Sequence, residues 1–259
     1  MADPSADSAG PAHYDGAAIE VLAAAAGLAA LEAHDDITST LDRVHVLGAA
    51  GAAAGTAVVA ERQSAGRGRS GHSWLSAPGM GVWVGLLERP TDPSAIGVLS
   101  LRLGLALAHS LAPLVATPIR LKWPNDLWTD SGTLAGILVE ARWHGPTPDW
   151  VAIGVGVNVR PSPLEAQSVG LPHGVRRADV LVRACGAARR AAACTGPLSE
   201  AELSAWGALD LARGRSIVEP AAGTVRGIRS DGALLVQTAT GIQAMLSGSL
   251  RFADGRLPV

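Results

Sequence analysis

A chain of 259 residues can bury a sizeable core, as one large domain with room for a small second one. Its composition, 48% hydrophobic and 17% charged with a net charge of −2, is that of a globular protein and argues against one whose main business is coating nucleic acid. No apolar run is long enough to span a membrane, and the two cysteines suggest neither an oxidising compartment nor a zinc site; the expected compartment is the cytoplasm.

Residues 1–15 are small and polar without periodicity and read as a disordered leader. The Ala-rich stretch 17–33 lacks the basic start of a signal peptide and reads as a short amphipathic helix. Thr38, Ser39 and Thr40 then offer N-caps for a helix carrying Leu41, Val44 and Leu47. The same hydroxyls also suit the polar head group of a ligand.

The stretch 55–61 reads as a buried strand delivering the chain into Gln63-Ser-Ala-Gly66-Arg67-Gly68-Arg69-Ser-Gly71-His-Ser-Trp74, and 81–88 as the next strand. Three glycines leave backbone N–H groups unshielded while two arginines supply charge. This loop reads either as a phosphate clamp or as a flexible arginine-bearing hairpin turn, with Trp74 anchoring its far end by packing. Asp92-Pro93 starts a helix whose apolar stripe runs through Ile96, Leu99, Leu103, Leu107 and Leu111, which is core.

Lys122 is the one lysine of the chain, the other basic residues all being arginine. It lies in Leu121-Lys-Trp-Pro-Asn-Asp-Leu-Trp128, where a strand ends at Trp123 and Pro124, Asn125 and Asp126 turn the chain, with 134–141 as the returning strand. An ordinary turn has the same residue types. The apolar strand 151–159 carries Gly154 and Gly156, which permit close approach, and Asn158, whose partner is either a nucleotide base or the backbone. A helix over 178–194 bears both cysteines, each expected to be buried or half-buried. Ser199 with Glu202 forms a capping box. From Gly214 on, short strands with a Ser230-Asp231-Gly232 hairpin turn form a small β-module, placing a domain boundary near Arg213.

The order of five motifs, the Gln63–Trp74 loop, the Lys122 turn, Leu134-Ala-Gly136-Ile-Leu-Val-Glu140, Gly154-Val-Gly-Val-Asn158-Val and the C-terminal Gly-Ile-Arg-Ser-Asp-Gly with Ser-Gly-Ser-Leu-Arg251, resembles the biotin protein ligases over about residues 37–252. The resemblance implies an α+β fold: a central mixed β-sheet flanked by helices, of the class II aminoacyl-tRNA synthetase and biotin ligase type, plus a small C-terminal SH3-like β-barrel. It divides the chain into a leader and N-terminal helix (1–36), a catalytic domain (37–212) and the small domain (213–259). The 36 residues before Ile37 give no helix-turn-helix pattern, so no DNA is expected as a partner, and no membrane.

It further implies an ATP-dependent ligase that uses Mg²⁺, with biotin as substrate, forms biotinyl-5′-AMP and transfers the acyl group to a lysine of a biotin carboxyl carrier protein. Biotin would meet Ser39, Thr40, Gln63, Arg67, Gly68, Arg69, Thr133 and Gly136; the nucleotide would meet Arg67, Arg69, Trp74, Lys122, Asn125 and Asn158. Arg69, Lys122 and Asp126 would be catalytic, Asp126 as base or positioning partner of the incoming amine. No protein ligand set for a resident metal is expected. Exposed sheet edges are open to homodimer formation.

Four positions depart from that family. Thr133 stands where it has a lysine, Leu41 where an asparagine is usual, and Trp83 and Gly85 where a tyrosine and a serine are usual. These departures keep two alternatives open: a related adenylate-forming ligase or acyltransferase acting on another acid and amine, and a pseudo-ligase that binds biotin or nucleotide without turnover.

Overall fold

The computed structural model describes residues 10–161 and 168–255. The elements in order are β1 (His13–Tyr14), β2 (Ala17–Ala18), α1 (Ile19–Ala26), β3 (Ala30–Ile37), α2 (Thr40–Ala49), β4 (Thr56–Gln63), β5 (Gly81–Glu88), α3 (Pro93–Ile96) and α4 (Leu99–Leu111). There follow β6 (Arg120–Lys122), β7 (Asp126–Thr129), β8 (Gly132–His144), β9 (Thr147–Asn158), α5 (Arg177–Ala192) and α6 (Glu200–Leu209). Last come β10 (Ser216–Glu219), β11 (Gly223–Ile228), β12 (Leu234–Thr238), β13 (Gly241–Met245) and β14 (Arg251–Phe252). Among the described residues no helix is long and apolar enough to cross a membrane.

Seven strands form the central sheet in the order β3-β4-β5-β9-β8-β7-β6. The β3–β4 pair is parallel and every other pair antiparallel, so the sheet is mixed, as expected. Helix α2 supplies the crossover between β3 and β4, packing Leu41 and Val44 on Val58, Leu87 and Ala152. The opposite face, with Val59, Val82, Val84 and Ile153, joins α1, α4 and α5 in the main core. With both faces covered, the central strands read as continuous apolar runs.

The β10–β14 strands form a separate antiparallel sheet in the order β13-β12-β11-β10-β14. Leu234 and Val236 of β12, Val225 of β11 and Ile217 of β10 are buried under it, and Gly232 turns the hairpin with φ 86°. The capping box at Ser199 and Glu202 is present, and the same Glu202 carboxylate receives the buried Arg102 of α4 at 2.6 Å.

Several local expectations are corrected. Residues 10–15, read as leader, are folded: Tyr14 is buried with its hydroxyl donating to Gly81 O, and Asp15 accepts from Arg177 and from Ala178 N at the start of α5. Residues 1–9 lie outside the described residues. The helix expected over 17–33 ends at Gly27, whose φ of 65° closes α1, and the chain continues as edge strand β3 from Ala30, so the sheet begins inside the segment assigned to the leader and helix. The helix begun by Asp92 breaks at Gly97 and Val98 and restarts as α4. An extra strand, β7, follows the Lys122 turn before the chain returns as β8. Cys185 is buried in α5, its thiol pushed up to about 12 by desolvation, whereas Cys194 lies beyond the helix and is exposed.

Candidate active site

A cavity of about 650 Å³ opens at one end of the central sheet. Most of its wall comes from four chain segments separated in sequence, the start of α2, the end of β4 with the loop to β5, the β6–β7 turn with β8, and β9, to which Val84 of β5, Ser168 and Ser249 add single residues. One end is polar and uncharged. There the N-terminus of α2 is satisfied by Gln63, whose Oε1 accepts from Thr40 N at 2.8 Å and Thr40 Oγ1 at 3.0 Å while its Nε2 donates to Ser76 Oγ. Ser39 occupies the N-cap position but makes no capping bond; its hydroxyl is 1% exposed, lines the cavity and has no partner among the described residues. A buried hydroxyl without a partner costs about 1–3 kcal/mol, and a ligand that bonds to it recovers that cost.

The middle of the cavity is apolar. Trp74 lies flat across the backbone of β8 and β9: a Cβ built on Gly136 falls 2.6 Å from its ring, and one on Gly156 falls 2.5 Å. Only glycine admits the indole there. Trp83 supports it edge-on, with centroids 6.4 Å apart at 69°, and is itself buried, donating to Ala77 O. Trp83 is thus packing. So is Gly85, where a Cβ falls 2.9 Å from Thr40 O under α2. Leu41 is different: it lines the cavity and lies against Gly154. Gly156→Ala is expected to displace the indole, costing about 1–3 kcal/mol of stability by overpacking and weakening ligand binding. Denaturant unfolding and a biotin titration check the two effects.

The far end is charged. Lys122 and Asp126 sit opposite each other on β6 and β7, with Nζ and Oδ2 3.5 Å apart and the ammonium 5.1 Å from the Trp128 ring centre. Burial raises the Asp126 carboxyl above its ordinary value, opposed by Lys122 and Arg69. Asn125 donates to Ile137 O at 2.8 Å, fixing the turn against β8. The loop reaches over this end as a narrow hairpin, with Gly68 N on His72 O and Trp74 N on Gly66 O. Ser70 at its tip has φ 53° and Gly71 φ 78°. Arg69 extends from it to donate to Gly248 O of the C-terminal sheet at 3.2 Å.

The structure brings together Ser39, Thr40, Gln63, Arg67, Gly68, Arg69, Trp74, Lys122, Asn125, Asp126, Thr133 and Gly136, all on the cavity wall. Asn158 is not on that wall; it is 3% exposed and donates to Thr133 O, the backbone partner that was one of its two readings. Arg67 is paired with Asp42 and Glu140. The sequence reading missed His72, Ser73, Ile137, Val155, Ser168 and Ser249 as lining residues. Ile137 and Val155 were legible from the strand motifs around them; Ser168 and Ser249 sit in short polar stretches with no signal of their own.

Fold and cavity together define a mixed-sheet domain whose cavity runs from a neutral polar end through an apolar middle to a charged end. Residues 34–158 match the sequence model of the Biotin/lipoate A/B protein ligase family. The chain is 36% identical over 131 residues to the bifunctional ligase/repressor BirA of Bacillus subtilis, covering 50% of this chain and 40% of that protein. It is 41% identical over 116 residues to the biotin-(acetyl-CoA-carboxylase) ligase of Mycobacterium tuberculosis, covering 43% and 42%. The matched part thus spans about two fifths of the length of these relatives. A biotin protein ligase from Aquifex aeolicus, solved in complex with biotin and ATP, superposes with a TM-score of 0.69 at 26% identity, over 86% of this chain and 99% of that one.

Proposed function

We propose that the protein is an ATP-dependent biotin protein ligase. The carboxylate of biotin attacks the α-phosphorus of ATP, releasing pyrophosphate and leaving biotinyl-5′-AMP; a carrier-protein lysine then attacks the acyl carbon, releasing AMP. The observation that carries this reading is the order of chemistry along one cavity: hydroxyls and an amide at Ser39, Thr40 and Gln63, an apolar floor at Trp74 and Ile137, and cations with one carboxylate at Arg69, Lys122 and Asp126. The cyclic urea of biotin suits the first, its ring and chain the second, and the mixed anhydride the third. Mg²⁺ would arrive with the triphosphate, which supplies much of its oxygen shell. In this reading Ser39 and Thr40 bind the head, Arg69 and Lys122 stabilise charge at the phosphates, and the loop shields the reactive anhydride from water. Asp126 holds or deprotonates the incoming amine. Calorimetric titration with biotin, with and without ATP and Mg²⁺, tests the proposal when followed by mass spectrometry for biotinyl-5′-AMP. A folded protein that binds nucleotide but neither binds biotin nor forms the adenylate would refute it.

A second reading is favoured by Thr133 and Leu41, which both line the cavity. It keeps adenylate chemistry and changes the carboxylic acid. A neutral hydroxyl at Thr133 donates one hydrogen bond and neutralises no charge, so Thr133→Lys is expected to raise the rate of biotin-dependent pyrophosphate release by on the order of tenfold or more. A lysine variant that is no faster with biotin, but loses turnover with another acid, selects the second reading.

A further inference from the structure

Two carboxylates hold the guanidinium of Arg67. Asp42 of α2 lies 2.8 Å from Nη2, and Glu140 of β8 accepts from both terminal nitrogens at 3.0 Å. Glu140 is held in turn, because its Oε2 lies 2.8 Å from Nε2 of His45, and Nδ1 of His45 lies 3.1 Å from Nε1 of Trp150. An indole N–H only donates, so His45 Nδ1 is the acceptor and carries no proton; the ring proton is on Nε2 and points at Glu140. The donors run in one direction, from Trp150 to His45 to Glu140. Trp150 is itself fixed, with the Arg89 guanidinium 6.0 Å from its ring centre and anchored on the carbonyls of Gly48, Ala52 and Asp149.

With the imidazole neutral, two carboxylates face one guanidinium, and the local charge is negative. A phosphate is repelled from such a group. The arrangement instead joins the glycine loop to α2 on one side and to β8 on the other.

We propose that Arg67 is the latch of the loop over the cavity, with Asp42 and Glu140 as its catches and His45 and Trp150 as positioning residues for Glu140. Arg69 and Lys122 are then the cations that meet the ligand's anionic end. The latch itself depends on no ligand; its consequence for catalysis, that releasing it lets a reactive acyl adenylate escape, rests on the function proposed above.

Limited trypsin digestion of the full chain reads the latch directly, because cleavage after Arg67 requires its side chain to leave Asp42 and Glu140. Cleavage after Arg183, within α5, serves as the reference for general loosening. Glu140→Gln keeps the shape and removes the charge; it is expected to raise cleavage at Arg67 relative to Arg183 by about three- to tenfold. Trp150→Phe removes only the N–H donor and is expected to raise the same ratio about twofold. An unchanged ratio in Glu140→Gln, or equal acceleration at both sites, overturns the latch. An unchanged ratio in Trp150→Phe overturns the part given to His45 and Trp150. The catalytic consequence is read separately, as faster release of biotinyl-5′-AMP by Glu140→Gln. Absence of any adenylate with either protein counts against the proposed function and leaves the digestion result standing.

Discussion

Lys122→Ala is expected to slow pyrophosphate release by about 10²- to 10³-fold while leaving biotin affinity nearly unchanged. The ammonium is held in place before any ligand arrives: only 16% of the side chain is exposed, Asp126 lies 3.5 Å away, and the face of Trp128 is beneath it. A fixed cation in a poorly hydrated cleft stabilises developing charge far more than one in bulk water, and needs no reorganisation as the phosphate is attacked. Lys122→Arg keeps the charge but not the compact head, so it is expected to recover only part of the rate. Pyrophosphate release at saturating biotin and ATP measures this. A loss below about threefold, worth less than about 1 kcal/mol of barrier, would make Lys122 merely the counter-ion of Asp126.

Asp126→Asn should separate the two half-reactions. Adenylate formation makes no demand on a base, because the carboxylate of biotin is already ionised at neutral pH. The acceptor amine is protonated there, and transfer to it is expected to fall by about 10²- to 10⁴-fold. Single-turnover transfer from enzyme-bound adenylate to a carrier protein distinguishes the steps; equal losses in both would remove Asp126 from the amine. The pH dependence follows from the same group. Burial raises the folded-state pKa of Asp126, so the acid limb of the transfer rate should lie above the ordinary aspartate range. The folded protein therefore binds this proton more tightly than the unfolded chain does. Stability from this group is present below the unfolded pKa and is lost as the pH rises through the raised folded value. At neutral pH Asp126→Asn should consequently raise the thermal midpoint, and the gain should vanish in acid below the unfolded pKa. Thermal scans of both proteins across that range test the sign.

The glycine loop shows how far local sequence carried the reading. Glycines 66, 68 and 71 with Arg67 and Arg69 announced a loop able to approach an anion closely, and they did not say which arginine would do so. That depended on Glu140, distant in sequence, and on Asp42, which reads locally as an ordinary acidic residue in the first turn of a helix. Ser39 was legible as a cap and proved to be the hydroxyl left unbonded, because Gln63 from the end of β4 reaches Thr40 N first. Strand and helix identity followed from periodicity wherever one segment sufficed, as at 81–88 and in the Leu99–Leu111 helix. It failed at 17–33, where an alanine-rich composition reads as one helix and only the open edge of β4 pulls Ala30–Ile37 into the sheet.

By itself, the sequence determined the chemistry available: one lysine, a glycine loop with two arginines, a turn bearing Asn125 and Asp126, and five motifs in family order. These follow from side-chain type and short-range spacing, which the chain carries wherever it folds. Tertiary structure alone decided the assignments. It laid Trp74 on Gly136 and Gly156, withdrew Asn158 to Thr133, tied Arg67 to two acids, and brought Gly248 and Ser249 of the C-terminal segment to Arg69 and the cavity. Each of those outcomes is a competition between partners far apart in the chain, and the winner is set by distance in the folded state.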